Sequence, residues 1–473
     1  MGKSISEVKT PVFIKLMYAL GQMGWSLAAY GIANLLIYYY MPPQTENNTS
    51  VFPAYIYQGA VFGFGTIIGL LAFSGRLFDA ITDPLIANWS DRATYRFGKR
   101  RLLMLLGFIP FALFSFLIFI PLTPFTSSAN VVWLFITVMF LYLFMTIYVV
   151  PYSALISELG HSPDDRLTIS SLLSVTFALG YGIGTQVFTF QHLLEKHFLL
   201  SHVEAFRWVI AGYAVLAAIL MAIPVIFVNE AKYCVSKPTN ESPYAAIRSL
   251  LNNRNFKFFA VSDLMYWLAL TFIQMGIAYY VSVLLQLDVQ YSSMVLTGML
   301  GLSFVFYVPV NILARKWGKK QLMVLSFAWF TILYFMLAFL GKYPFHSVTQ
   351  IVLLGIFGSI PIAIFSILPN AVVADMVEAD AIETGGQKAA IFFAARSFMM
   401  KMGISLANLI FPSLLLMGNS IENPTGIRTT AVVAAFFCML GALFFYRYDE
   451  DETLRQAKLY RSQTYASSID GKH

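Results

Sequence analysis

Residues 130–157 read NVVWLFITVMFLYLFMTIYVVPYSALIS, 28 residues without one Asp, Glu, Lys or Arg. A helix needs about 20 consecutive apolar residues to cross the hydrocarbon layer of a bilayer, so this stretch is long enough to span. Similar apolar blocks lie on both sides of it. Together they make twelve candidate spans, near residues 13–40, 55–88, 101–121, 130–157, 167–194, 205–229, 256–285, 292–315, 320–341, 348–379, 386–416 and 425–447. Over 473 residues, 58% are hydrophobic and 12% charged, about half the ~25% charge of a soluble globular chain. A water-soluble fold of this size needs far more polar surface, so soluble enzymes are excluded. The expected fold class is an all-α membrane protein of twelve transmembrane helices.

The net charge of +7 suggests nucleic acid only until the 31 Lys and Arg are placed. With both termini cytoplasmic, Lys196, Arg207, Lys342 and Arg428 fall in outer loops, Arg76, Arg396 and Lys401 fall within spans, and the other 24 lie in tails and cytoplasmic junctions. That is a strong positive-inside bias, and it explains the basic charge without a nucleic-acid partner. The two cysteines, Cys234 and Cys438, offer no disulfide framework. No cleavable signal pattern opens the chain. Met1 to Ser6 match a myristoylation pattern, but a chain with twelve spans gains almost nothing from one acyl anchor. The sequons in Asn47-Asn48-Thr49-Ser50 are read as a polar turn after Pro42-Pro43.

One break divides the chain. Residues 230–255 interrupt the hydrophobic pattern with Lys232, Lys237, Arg248, Arg254, Pro238 and Pro243, and Ser242 before Pro243 suggests an N-cap with proline at the first helical position of a short amphipathic helix. The expected organisation is a six-helix bundle over 1–229, a cytoplasmic loop over 230–255, a second six-helix bundle over 256–447 and a cytoplasmic tail over 448–473. The loops after the second and eighth spans support a repeat. Arg96-Phe97-Gly98-Lys99-Arg100 and Lys316-Trp317-Gly318-Lys319-Lys320 share a basic-aromatic-Gly-basic-basic pattern 220 residues apart. Two six-span halves around a midplane cavity are an arrangement that transporters use repeatedly.

Ionisable residues at membrane depth are expensive, about 2.5–3.5 kcal/mol each on insertion scales, so each is a functional candidate. Asp79 and Asp83 stand first, in Arg76-Leu77-Phe78-Asp79-Ala80-Ile81-Thr82-Asp83-Pro84. Their i, i+4 spacing puts both carboxylates on one face of a helix. Two such groups must share a proton or hold a cation, and Thr82 adds an oxygen of the kind hard cations prefer. Lys401 lies too deep in the eleventh span to snorkel easily and needs a carboxylate, a carbonyl or an anionic ligand. Arg396, five residues earlier, cannot face the same partner and is assigned to packing or gating. Asp263 in the seventh span is either a functional acid or a helix-start Asp stabilised by the dipole. Gln22, Trp25, Gln186 and Gln274 could line a cavity or serve in packing. No HExxH, GxSxG, CxxC pair or P-loop is present, and His192, His197 and His202 near Glu195 lack an established metal spacing. No cofactor and no enzymatic activity are expected.

With these motifs in view, the chain resembles the glycoside-pentoside-hexuronide:cation symporter family of the major facilitator superfamily. The second-span pattern Arg-x-x-Asp-Ala-Ile-x-Asp-Pro, here Arg76 to Pro84, carries the resemblance, together with Val373-Ala374-Asp375 and Lys401, 26 residues after Asp375. The resemblance implies the major facilitator fold and a coupling Na+, Li+ or H+ at Asp79 and Asp83. It also places the cation-site threonine of the fourth span at Thr146, counted back from Pro151. The sugar contacts of the family's galactoside carriers do not carry over. Their positions fall on Trp25, Ser26, Val149, Ser153, about Ser174 and about Ser366. A galactoside would find none of its carboxylate and Arg partners there, and unmet buried hydroxyls are costly. The eukaryotic sodium-coupled lysolipid transporters of the same branch are similar in Asp-Ala-Ile-Thr-Asp-Pro and in Val150-Pro151-Tyr152-Ser153-Ala154-Leu155.

The expected function is cation-coupled symport, by Na+ or H+, of a small polar solute such as a sugar, glycoside or uronate, with lysolipid as the alternative substrate. The cation site is assigned to Asp79, Asp83, Thr82 and Thr146. The substrate and coupling site is assigned to Lys401, Trp25, Ser26, Val149, Ser153, Asp263 and Gln274. A cytoplasmic gate is assigned to Asp91, Arg92, Arg96, Arg100, Arg315, Lys319, Asp375 and Glu378. The expected partners are the substrate, the cation and membrane lipid, for a monomer in a bacterial inner membrane. A membrane enzyme acting on lipid, and a non-transporting receptor or scramblase on the same fold, are the readings from other classes.

Overall fold

A computed structural model of the chain describes residues 10–44, 50–63, 65–92, 98–160, 163–234, 253–384 and 389–459. The expected sequons and the helix at Ser242-Pro243 lie outside them. The described part is helical throughout, apart from a small antiparallel pairing of Ala60–Val61 with Gly65–Thr66. Ten of the described helices are long and apolar enough to cross a membrane. The first and second expected spans are not among the ten. The first, Val12–Tyr30, carries Lys15 and Gln22, and the second, Ile67–Arg92, carries Arg76, Asp79 and Asp83.

Two boundaries differ from the sequence reading. The second span was expected from residue 55, but its helix starts at Ile67, because the glycines and aromatic residues of 52–66 build the short pairing instead. The fifth span, expected over 167–194, is broken at Gln186 into Pro163–Thr185 and Val187–Phe198. Gln186 and Thr185 there bond side chain to side chain with Thr297, at 2.5 and 2.6 Å. The first span of each half also ends in a five-residue π-helical stretch, Gly31–Leu35 and Tyr280–Leu284, a feature frequent at functional sites.

Side-chain caps set several helix starts. Ser127 accepts from the Ala129 amide, and Ser201 with Glu204 forms a reciprocal capping box that satisfies two otherwise orphan donors. A third cap repeats the internal symmetry. Gly98 and Gly318 adopt φ of +93° and +87°, the left-handed region that favours glycine. After Gly98, the amides of Arg100 and Arg101 donate to Glu230 at 3.0 and 3.2 Å. After Gly318, the amides of Lys319 and Lys320 donate to Glu450 at 2.8 and 3.0 Å. Each glutamate follows the last span of its half, so the two halves use one device.

The chain divides into two compact units. The first holds 1–239 with 274–297 and 408–426, and the second holds 240–273, 298–407 and 427–473. In the first, Val12–Tyr30 packs on Pro163–Thr185 and His202–Phe227, while Lys99–Leu117 and Ile67–Arg92 pack on Ser128–Leu159. Its aromatic residues fill the interior. Tyr39 stacks 5.2 Å from Phe206 and meets the rings of Phe52, Tyr55 and Phe119, and Arg207 donates to the hydroxyls of Tyr39 and Tyr55 at 3.0 and 3.2 Å. Such aromatic pairs contribute beyond their buried area. In the second unit, Tyr266 stacks on Phe365 at 3.9 Å, with Phe327 and Phe330 around it.

Candidate cation and substrate sites

The second and fourth spans approach closely at Gly75. A Cβ there would lie 2.6 Å from Val138 Cγ1 and 2.8 Å from the Tyr142 ring, so only glycine admits this spacing. One turn on, the close approach brings Asp79 to Thr146. The Thr146 hydroxyl donates to Asp79 Oδ1 at 2.9 Å, and Arg76 Nη1 lies 3.3 Å from Asp79 Oδ2. Asp79 and Thr146 are each 1% exposed. Arg76 lies over the Tyr142 ring at 5.8 Å, and its Nε is buried with no hydrogen-bond partner.

Thr82 is buried beside them, with its hydroxyl 3.4 Å from that of Thr146. It donates to the carbonyls of Phe78 and Asp79 at 3.0 and 3.2 Å, which leaves its oxygen lone pairs available. Asp83 is half-buried a turn further along. Pro84 lies inside the same helix and has no N–H, so the carbonyl of Ala80 lacks its helical donor. Carboxylate, hydroxyl and carbonyl oxygens thus converge on one face of the second span. Oxygen sets of this kind suit a hard cation, and Arg76 is the permanent counter-ion.

The other assigned residues divide between the units. Trp25, Ser26, Val149, Ser153 and Gln274 belong to the first, Asp263 and Lys401 to the second. Trp25 is half-buried, donates to Gln22 Oε1 at 3.0 Å and has its ring 5.7 Å from Phe177. Phe177 in turn stacks 6.2 Å from Tyr181, whose hydroxyl meets Asn34 at 3.3 Å. Ser26 was expected to contact substrate, but it is buried and donates to the carbonyls of Met23 and Phe177 at 3.1 and 3.4 Å. It braces the fifth span against the first. Val149 and Gln274 are half-buried and Ser153 is exposed.

In the second unit the partner of Asp263 is Arg396, whose Nε lies at 3.3 Å and Nη2 at 3.5 Å from the carboxylate, while Nη1 donates to Asn370 Oδ1. Sequence reasoning had set Arg396 aside, because its spacing from Lys401 was judged along one helix and its true partner lies 133 residues away on another. Lys401 is half-buried on the same helix. The gate residues make their resolved contacts within single units. Arg100 pairs with Glu158 at 3.0 Å and donates to Ser90 at 2.6 Å, and Lys319 pairs with Asp375. Arg315 is exposed and Glu378 half-buried, while Arg96 and the side chains of Asp91 and Arg92 lie outside the described residues. Glu158, Glu230 and Glu450 were also passed over. Glu230 and Glu450 stand 220 residues apart, as the two loops do, and that shared offset was the signal.

Residues 17–452 match the family described as MFS/sugar transport protein. A symporter of Synechocystis sp., sll1374, is 31% identical over 192 residues, 40% of this chain and 31% of that protein, so the match spans about a third of the relative. The isoprimeverose transporter of Lactiplantibacillus pentosus is 23% identical over 432 residues, 86% of this chain and 87% of that one. The sodium-dependent lysophosphatidylcholine symporter 1 of Xenopus tropicalis is 29% identical over 118 residues, 25% of this chain and 22% of that one. Among solved structures, the D-xylose-proton symporter aligns with a TM-score of 0.64 at 14% identity, covering 94% of this chain and 99% of that one. The nucleoside transporter NupG aligns with a TM-score of 0.63 at 17% identity, covering 92% and 100%. These likenesses establish the major facilitator fold, and the family and its neighbours are membrane transporters, not enzymes.

Proposed function

We propose, from the premise that this chain belongs to the MFS/sugar transport protein family over residues 17–452, that it is a cation-coupled symporter working by alternating access. The observation that carries this reading is the buried Asp79 carboxylate, served by Thr146 from another span and flanked by the Thr82 hydroxyl. The cation site comprises Asp79, Asp83, Thr82 and Thr146. Two hydroxyls beside the carboxylates favour Na+ over H+, because a proton needs no extra oxygen ligands. Cation binding raises substrate affinity, and by linkage substrate raises cation affinity by the same factor.

The substrate is a sugar, glycoside or uronate, bound through Trp25, Val149, Ser153, Gln274, Asp263 and Lys401. The aromatic strip of Trp25, Phe177 and Tyr181 offers flat apolar faces to a pyranose ring. The same strip and the absent galactoside contacts favour a second reading, a lysolipid or related amphiphile, in keeping with the similarity to a lysophosphatidylcholine symporter. The protein acts as a monomer in a bacterial inner membrane, with both termini and the Arg100 and Lys319 pairs on the cytoplasmic side. Uptake into proteoliposomes by the Asp79→Asn and Asp83→Asn variants tests the reading. Cation-driven accumulation should vanish in both, and full retention in both would overturn the cation-site assignment.

A further inference from the structure

The cation site leaves three polar groups at membrane depth without a task. Asp263, 3% exposed, accepts from Nε and Nη2 of Arg396 at 3.3 and 3.5 Å, and Nη1 of Arg396 donates to Asn370 Oδ1. A guanidinium carries five N–H donors, so these three bonds leave two N–H groups unused. The contacts to Asp263 are also long, since charge-assisted N–H···O bonds run about 2.7–2.9 Å. A better-placed anion can therefore compete for this guanidinium.

The cluster is open on one side. The Arg396 side chain is 14% exposed. Asn370 is exposed, and so are Ser366 and Ala374, four residues before and after it on the same helix face. An exposed amide bonded to an arginine does not face acyl chains, because intramembrane charge is placed toward protein or a water-filled cavity. The Ser366–Asn370–Ala374 face therefore lines water-accessible space, and the Nδ2 donors of Asn370 remain available there.

We propose that Arg396 is an anion receptor, taking one carboxylate or phosphate group of the substrate on its two unused N–H groups beside the Asn370 amide, with Asp263 as the counter-ion that the anion displaces. The proposal rests on the transporter reading and narrows its substrate to solutes that carry a negative group, either a uronate or a lysophospholipid. A bidentate guanidinium is suited to both chemistries.

The test uses the full chain in lipid nanodiscs and two matched pairs of probes: glucuronic acid against glucose, and lysophosphatidic acid against monoacylglycerol. One anionic member should bind, with its neutral counterpart weaker by about tenfold or more, as expected when a charge-assisted bond is lost. The pair that responds identifies the source of the anion. Arg396→Gln should remove this preference and leave binding of the neutral member unchanged. Asp263→Asn should tighten anion binding, because the carboxylate no longer competes, whereas a merely structural role for Asp263 predicts weakening. Breaking a buried pair can unfold a protein, so the double variant Asp263→Asn, Arg396→Gln supplies two neutral amides and should stay folded without the preference.

The proposal is overturned if neither anionic probe binds, if a neutral counterpart binds equally, or if Arg396→Gln weakens both members alike. Uptake that still depends on a cation gradient and on Asp79 would leave the transporter reading standing after that failure. Uptake indifferent to both would remove the transporter reading itself.

Discussion

Replacing Thr146 with valine removes one hydroxyl and keeps the side-chain shape, so it isolates the contact that unites the second and fourth spans. The hydroxyl donates to Asp79 Oδ1 at 2.9 Å and lies 3.4 Å from the Thr82 hydroxyl, in surroundings where Asp79 is 1% exposed. A hydrogen bond to a charged group is worth about 1.5–3 kcal/mol. At about 1.4 kcal/mol per factor of ten, that corresponds to about 10- to 150-fold in an equilibrium constant. The sign depends on the coupling ion. When Na+ binds, the Thr146 oxygen turns from donor to ligand, and valine can do neither, so half-maximal activation should require about tenfold more Na+ or higher. When a proton binds, the lost donor had favoured the empty carboxylate, so the variant would hold its proton more tightly and half-maximal uptake would move to alkaline pH. The assay is substrate uptake into proteoliposomes, titrated with Na+ at fixed pH and with pH in the absence of Na+. Thr146→Ser keeps the hydroxyl and should behave as the parent. Weaker Na+ activation in Thr146→Val with a normal Thr146→Ser is the expected outcome. Unchanged activation by both ions would refute the placement of the cation beside Thr146.

Gly75→Ala puts a methyl 2.6 Å from Val138 and 2.8 Å from Tyr142. It should cost about 1–3 kcal/mol through overpacking, seen as a lower midpoint in detergent thermal denaturation, and should weaken Na+ activation by moving Asp79 away from Thr146. Glu230→Ala removes the acceptor for the Arg100 and Arg101 amides. The lost cap should cost about 0.5–2 kcal/mol, and Glu450→Ala should lower the midpoint by a similar amount because its cap has the same geometry. A large drop for one and none for the other would contradict the equivalence of the two caps.

Much of the fold was legible because a bilayer is a simple solvent. The apolar block from residue 130 to 157 corresponds to the helix Ser128–Leu159, and the ninth, tenth and twelfth expected spans agree comparably with Lys319–Ala338, Ser347–Thr384 and Thr425–Tyr446. The misread boundaries fall where apolarity does not mean helix. The stretch before Ile67 is aromatic and rich in glycine, and it folds into a short pairing that the hydropathy pattern does not distinguish from a span. The break at Gln186 likewise depends on Thr297, more than a hundred residues away.

The residues of the candidate sites show the same division. Asp79 and Asp83 stood out in the sequence because a carboxylate in an apolar run is costly and their spacing is local to one helix. The resemblance supplied Thr146. The sequence could not supply Arg396 as the partner of Asp263, Glu158 as the partner of Arg100, or the buried role of Ser26. Each of these is a pairing between helices, fixed by how neighbouring spans rotate and pack. The sequence alone determined that the chain crosses a membrane, where its charges are exceptional and which helix carries the cation carboxylates, because those follow from solvent and periodicity. Tertiary structure decided which charges meet, because a long-range pair is set by the close approach of two helices, as at Gly75, and no spacing along one helix encodes it.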